Sequence, residues 1–191
     1  TVGGLSTASN ALMAAGGIKP IGSLRGVRVL RAGRAVSTLD LYELLLYGNA
    51  GGDVRLQSGD VIFVPPLGDS AGITGEVRRP ARYEFAGAAT AGALVELGGG
   101  LTETASPAEA TLERIDPARG RVVLNVDLGS RAGRETRLYR GDVLHIPPVR
   151  DALNDSVLIA GHVYQPGARQ YRKGLRLTQL LDSVDALKPN A

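Results

Sequence analysis

Cysteine is absent from the 191-residue sequence, which excludes disulfides, thiolate metal sites and cysteine nucleophiles. This leaves the compartment open, although it suits an exported protein that avoids stray disulfides. Tryptophan is also absent, and aromatic residues make up only 4% of the chain. A base-stacking platform, where aromatic side chains carry much of the affinity, is therefore not expected. The formal net charge of +3 arises from interspersed arginines and acids without a basic run, so nucleic acid is not a predicted partner. No apolar run approaches the ~20 residues of a membrane-spanning helix. No leader stretch is visible either, and any targeting segment is expected outside this stretch of chain. The two histidines, His145 and His162, have no paired spacing, so no metal site is expected. Neither a nucleophile elbow nor a phosphate-binding glycine fingerprint occurs. The clusters Gly16-Gly17, Gly51-Gly52 and Gly98–Gly100 read as helix stops and hinges. No cofactor and no catalytic constellation is predicted.

What the chain does have is glycine, 26 residues of it, enough hydrophobic residues (43%) for a real core, and an internal repeat. Leu138-Tyr139-Arg140-Gly141-Asp142-Val143-Leu144-His145-Ile146-Pro147-Pro148 has a twin in Leu56-Gln57-Ser58-Gly59-Asp60-Val61-Ile62-Phe63-Val64-Pro65-Pro66. Gly59 and Gly141 suit a turn that needs positive φ, and Asp60 and Asp142 can hydrogen-bond the nearby backbone. Val61–Val64 and Val143–Ile146 read as short core strands. Pro65-Pro66 and Pro147-Pro148 then end each strand and give it a stiff, extended exit.

The segments between these motifs repeat as well. Thr7–Ala15 reads as a helix capped by Thr7 or Ser9, and Thr90–Leu97 as its counterpart. Val27–Arg31 and Ala35–Leu39 form a hairpin across Ala32-Gly33-Arg34. Thr111–Ile115 and Val122–Val126 form another across the five residues Asp116–Gly120. Asp40–Tyr47 reads as a capped helix. Ile73–Val77 and Arg82–Phe85 flank a turn at Arg78–Ala81. Val157–Val163 repeats that strand, with Ile159, Gly161 and Val163 in the places of Ile73, Gly75 and Val77. Leu177–Val184 is the matching helix that follows it. The order hairpin, helix, hairpin, closing strand recurs at roughly 80–90 residues. It predicts an α+β fold of tandem β-grasp domains, small mixed sheets each crossed by one helix. The units are 1–66, lacking its opening hairpin, 67–148, complete, and 149–191, the opening half of a third. The chain thus reads as an interior slice of a longer protein. The open sheet edges of the outer units invite strand addition, the tail of one copy docking on the head of another.

The succession I-T-G-E-V-x-x-P, a helix ending in G-G-G-L, then D-L and L-x-x-G-D-V-L-x-I-P-P resembles the SLBB (soluble-ligand-binding β-grasp) repeat, and I-A-G-H-V-x-x-P-G at 159–167 agrees. Tandem copies joined by proline exits resemble the outer-membrane polysaccharide export proteins of Gram-negative bacteria. That resemblance implies a periplasmic protein associated with the outer membrane through segments absent from this chain. It implies polysaccharide as a partner, with other copies in a homo-oligomeric ring and an inner-membrane polysaccharide co-polymerase. SLBB modules also occur in vitamin B12 carriers and a respiratory NADH dehydrogenase subunit.

Of the recurring residues, Asp60 and Asp142 fall in separate units, so turn stabilisation is expected of them rather than acid–base work. Arg78, Arg79 and Arg82 surround the opening turn of the second unit. Tyr164, Gln165, Arg169 and Arg172 lie at and beyond the matching turn of the third. Such groups can hydrogen-bond hydroxyls and pair with acidic sugars. A solvated loop or a contact to a neighbouring subunit is the competing reading. The expected function is a non-enzymatic part of a polysaccharide export apparatus. The alternatives are a small-ligand, cofactor-type binding module and a polysaccharide-modifying enzyme, which would need two carboxylates in one cleft.

Overall fold

The computed structural model describes residues 6–85, 87–150, 153–181 and 183–189, with the side chain of Val184 left aside. The chain divides into two compact units, Thr1–Val149 and Arg150–Ala191. The first unit opens with helix α1 (Ala8–Ala14), capped by the Thr7 hydroxyl accepting from the Asn10 N–H. Hairpin β1 (Val27–Arg31) and β2 (Arg34–Leu39) follows, then helix α2 (Leu41–Tyr47) and strand β3 (Val61–Phe63). Asp40 caps α2 and Gly48 ends it in the left-handed conformation, as the local sequence predicts. These strands form a three-stranded sheet in the order β2-β1-β3.

The middle of the chain supplies β4 (Ser70–Gly75), β5 (Ala81–Glu84), helix α3 (Ala91–Leu97), β6 (Ala110–Asp116), β7 (Gly120–Val126), the short helix α4 (Arg131–Arg134) and β8 (Val143–Ile146). The five strands order as β5-β4-β8-β6-β7. The first and last strands are central and parallel, with Ile73 opposite Leu144, while every other pair is antiparallel. This is the β-grasp arrangement. Ile73, Leu94, Leu112, Leu144 and Ile146 are fully buried and form its core with Ala71 and Ala91. Along β8 the alternation holds: Leu144 and Ile146 point into the core, and His145 points out to the Thr74 hydroxyl, 3.1 Å from its Nδ1.

The three-stranded sheet repeats part of this body bond for bond. Ser23 N–H donates to Pro65 O and Ser106 N–H to Pro147 O, each at 2.8 Å. Leu41 N–H donates to Leu24 O, and Leu128 N–H to Pro107 O. Gly22 bridges Pro66 as Ala105 bridges Pro148, and Thr7 bridges Arg55 as Thr90 bridges Arg137. The two bodies meet at Glu84. Its carboxylate accepts from the Ser23 hydroxyl and from the Leu24 and Gly68 N–H groups, while its own N–H donates to the Tyr42 hydroxyl. Tyr42 stands beside Tyr83 with ring centroids 6.1 Å apart, and Arg25 lies over the Tyr42 ring.

The second unit carries hairpin β9 (Ser156–Ile159) and β10 (Gly167–Gln170) and helix α5 (Leu177–Leu180). Gly161 repeats the positive φ of Gly75 (100° against 81°), and Val163 bridges Leu187 as Val77 bridges Leu101.

Several expectations need correction. Val61–Val64 was expected to be a core strand like Val143–Ile146. Instead β3 lies at an edge with Val61 57% exposed, because among the described residues only β1 flanks it, whereas β8 has β4 and β6 on either side. The strand expected over Ile73–Val77 starts at Ser70 and ends at Gly75, where the backbone enters positive φ. The turn after β1 is two residues, not three, with Ala32 and Gly33 both at positive φ (47° and 77°), the conformation that matches the twist of a tight hairpin. Asp116 pairs with Gly120, so that loop is three residues long, tightened by the Asp116 carboxylate accepting from the Ala118 and Arg119 N–H groups. The helix expected over Leu177–Val184 is one turn long and then gives way to a 3-10 turn at Val184–Ala186. Leu177 is 71% exposed and no residue of α5 is buried; so short a helix has little stability without packing. Asp182, within that expected helix, lies outside the described residues.

Candidate functional site

The recurring Gly-Asp motif is a structural latch built the same way twice. Gly59 and Gly141 turn the chain at φ 86° and 89°. Asp60 then accepts from the Gln57 N–H at 2.8 Å, and Asp142 from the Tyr139 N–H at 2.9 Å. Each carboxylate also receives a two-pronged guanidinium from the neighbouring strand. Arg31 reaches Asp60 at 2.8 and 2.9 Å, and Arg114 reaches Asp142 at 3.0 and 2.7 Å. Arg114 in addition lies 4.3 Å over the Tyr139 ring and donates to Arg137 O. The Asp142 side chain is 1% exposed and that of Asp60 2%. Both carboxylates are thus tied to their own turn and to the neighbouring strand. Arg31 and Arg114 were missed from sequence. The available signal was the spacing, since Arg31 precedes Asp60 by 29 residues and Arg114 precedes Asp142 by 28.

The Arg31 hydrogen bond, followed by the Gln57 N–H, holds the Asp60 carboxyl at about 2, below its ordinary 3.8. A carboxylate depressed in the folded state adds stability that is complete above the unfolded value and is lost as pH falls through the folded one. Asp60→Asn should therefore be less stable than the parent at neutral pH, and the gap should close as pH falls from about 4 to about 2. Chemical denaturation at a series of pH values measures this; a gap that does not vary with pH refutes it.

The arginines around the turn between β4 and β5 are partly engaged within their own fold. Arg79 donates to Leu97 O at the C-terminal end of α3, where a cation is favoured. Arg82 donates to Ser70 O at 3.4 Å, and Arg78 pairs at 3.5 Å with Glu103, both ends well exposed. Nearby, Glu76 accepts from the hydroxyls of Thr102 and Thr104, which lower its pKa.

The Arg150–Ala191 unit differs. Gln165, Arg169 and Arg172 line one hollow of about 650 Å³ together with Gln170, Lys173 and Gln179. Arg169 donates to the carbonyls of Gln165 and Ala168, and Arg172 to the side-chain oxygen of Gln170. Tyr164 is 58% exposed and faces an adjoining recess with Gln165 and Arg169. Three cationic side chains and three amides thus converge on one concave surface, suited to carboxylates and hydroxyls and not to an apolar ligand. Lys173, Gln170 and Gln179 were not foreseen. They enter because β10 and the loop before α5 curve around the hollow. Among the described residues no group of three or more His, Asp or Glu could hold a metal ion, and no helix is long and apolar enough to cross a membrane.

No curated protein matches the chain. Residues 71–126 match the family model described as SLBB domain. That span runs from β4 to the last residue of β7, the hairpin-helix-hairpin portion of the five-stranded body, which β8 then completes. The middle of this chain is thus similar to the SLBB domain, over strands β4 to β7.

Proposed function

We propose that the chain is a non-catalytic, periplasmic part of a capsular polysaccharide or exopolysaccharide export protein. It is built of tandem β-grasp units over 1–66, 67–148 and 149–191, and contacts polysaccharide, neighbouring subunits or both. The observation that carries this reading is the SLBB match over 71–126 within a five-stranded β-grasp sheet. The repeated hydrogen bonds around the proline exits support the tandem arrangement, because each Pro-Pro exit is held to its own body by the same bonds. In the full-length protein the partners are further copies in a ring and the inner-membrane polysaccharide co-polymerase, with attachment to the outer membrane through other segments. Within the chain the polymer-facing residues are Tyr164, Gln165, Arg169 and Arg172. Arg78, Arg79 and Arg82 form a secondary patch whose guanidiniums are already partly engaged.

Calorimetric titration with alginate, a uronic acid polymer, and with neutral dextran tests this. Alginate should bind and dextran bind more weakly. Replacing Arg169, Arg172 and Lys173 by alanine should weaken alginate binding by at least about tenfold, the loss of roughly one charge-assisted hydrogen bond. No binding of either polymer, or a variant with unchanged affinity, overturns the proposal. The hollow is also of a size to take a small ligand. Titration with a corrinoid separates that reading, since a saturating one-to-one isotherm with it and none with alginate favours the cofactor-type module.

A further inference from the structure

The contact at Glu84 is made by groups that the β-grasp plan itself does not require. Glu84 ends β5 and is 4% exposed. One carboxylate oxygen accepts from the Gly68 N–H at 2.8 Å, and the other from the Ser23 hydroxyl and the Leu24 N–H, each at 3.0 Å. The backbone of Glu84 is gripped as well. Its N–H donates to the Tyr42 hydroxyl at 3.1 Å, and its carbonyl accepts from Arg25 Nε at 2.7 Å. Arg25 also pairs at 2.9 Å with Asp40, the cap of α2. Each polar atom of Glu84 thus has a bond to the three-stranded body or to the segment that joins the two. The apolar contact follows the same line. Tyr42 is buried in the core of the five-stranded body, with Leu24 and Leu46 against it, whereas its neighbour Leu41 packs with Val27 and Val29 in the three-stranded one.

The repeat shows what these groups are for. The shared backbone bonds put Ser106, Pro107 and Leu128 in the places of Ser23, Leu24 and Leu41. Pro107, Ala108 and Gly129 therefore stand where the first body has Leu24, Arg25 and Tyr42. The five-stranded body folds with a proline that has no N–H to give, and with neither a guanidinium nor a ring at the other two positions. Ser156 pairs with Gln170 in the last hairpin as Ser70 pairs with Glu84, so that hairpin forms without the carboxylate. What these positions share in the first two bodies is the contact at Glu84. The joining segment is fitted to it too, since a Cβ on Gly68 would lie 2.8 Å from Glu84 Oε1.

We infer that Glu84 is a locking residue that holds the three-stranded and five-stranded bodies in one fixed orientation, so that the Thr1–Val149 unit moves and opens as a single piece. Bodies joined by a short segment move against each other by default unless their contact prevents it. Here the closed state has an acceptor for the Ser23, Leu24 and Gly68 donors only while the carboxylate is present. Without it those donors are stranded in a buried contact, whereas in an opened joint water serves them, so its loss penalises the closed state alone. The lock does not depend on polysaccharide.

Spin labels test it. The chain has no cysteine, so Val36→Cys on β2 and Val123→Cys on β7, both exposed, place one label on each body. Double electron–electron resonance on the whole chain should give one narrow distance distribution. Glu84→Ala should broaden it, and so should Glu84→Gln, whose amide group turns N–H donors toward donors. Arg25→Ala combined with Tyr42→Phe removes both grips on the Glu84 backbone and touches nothing that the five-stranded body has in common with the first. It should broaden the distribution too, and it decides the matter if the Glu84 variants fail to fold. Hydrogen exchange gives the second readout: the amides of β1 and β8 should share one opening free energy in the parent and separate in the variants. A distribution already broad in the parent overturns the inference. So does one that stays narrow in the variants while β1 and β8 continue to open together.

Discussion

Asp142→Ala is expected to lower the unfolding free energy of the Thr1–Val149 unit by about 3 kcal/mol, the cost of stranding one member of a buried ion pair. The Asp142 carboxylate is 1% exposed and accepts from Arg114 Nε, Arg114 Nη2 and the Tyr139 N–H. Its removal leaves the guanidinium, 20% exposed and stacked on Tyr139, with only the Arg137 carbonyl. It also leaves the Tyr139 N–H without its acceptor in the turn that aims β8 into the sheet. Arg114→Met with Asp142→Leu should recover much of the loss, since replacing both partners with apolar groups strands neither. Urea denaturation measures both. A single variant within about 0.5 kcal/mol of the parent would mean that the latch is only a surface contact. Asp60→Ala should cost less, because Arg31 is 35% exposed and water can replace its partner.

The second large effect is expected at Gly75. Alanine there must hold a positive φ of 81°, which costs about 1 kcal/mol. Its Cβ would in addition fall 2.0 Å from Ile146 O. Ile146 O accepts from the Glu76 N–H, so the clash breaks the end of the parallel β4–β8 ladder, the strand pairing that joins β5-β4 to β8-β6-β7. The total loss should exceed about 3 kcal/mol. Gly161→Ala, measured in dilute solution, should cost only about 1 kcal/mol, because the same φ is needed but nothing lies within 4 Å. Hydrogen exchange of β4 and β9 reads the two separately. Equal losses would show that backbone conformation alone, and not the passing strand, sets the requirement for glycine.

The parts of the fold legible in the sequence are those governed by neighbours along the chain. Thr7, Asp40 and Thr90 cap their helices through their own side chains, and Gly48 ends α2, within a few residues in each case. The Gly-Asp turns follow from the same local chemistry. What was missed depends on groups far apart in sequence. The partner of Asp142 is 28 residues away, and Glu84 is held by Ser23, 61 residues away. Nothing about Glu84 in its own segment sets it apart from a surface carboxylate. The shortness of α5 was hidden for a related reason: Leu177 and Leu180 have helical spacing, yet spacing does not say whether a sheet face is there to cover them.

By itself the sequence determined the repeated Gly-Asp motif, the positive-φ turn at each of its glycines and the stiff proline exit that follows. Glycine φ, proline's missing donor and period-two alternation act within a few residues. Only the tertiary structure decided that closely similar closing motifs lie in different surroundings, β8 enclosed between two strands and β3, among the described residues, at an edge. Burial and strand pairing are properties of what lies alongside, and two segments of similar pattern differ in both when one of them has a strand on each side and the other on one side alone.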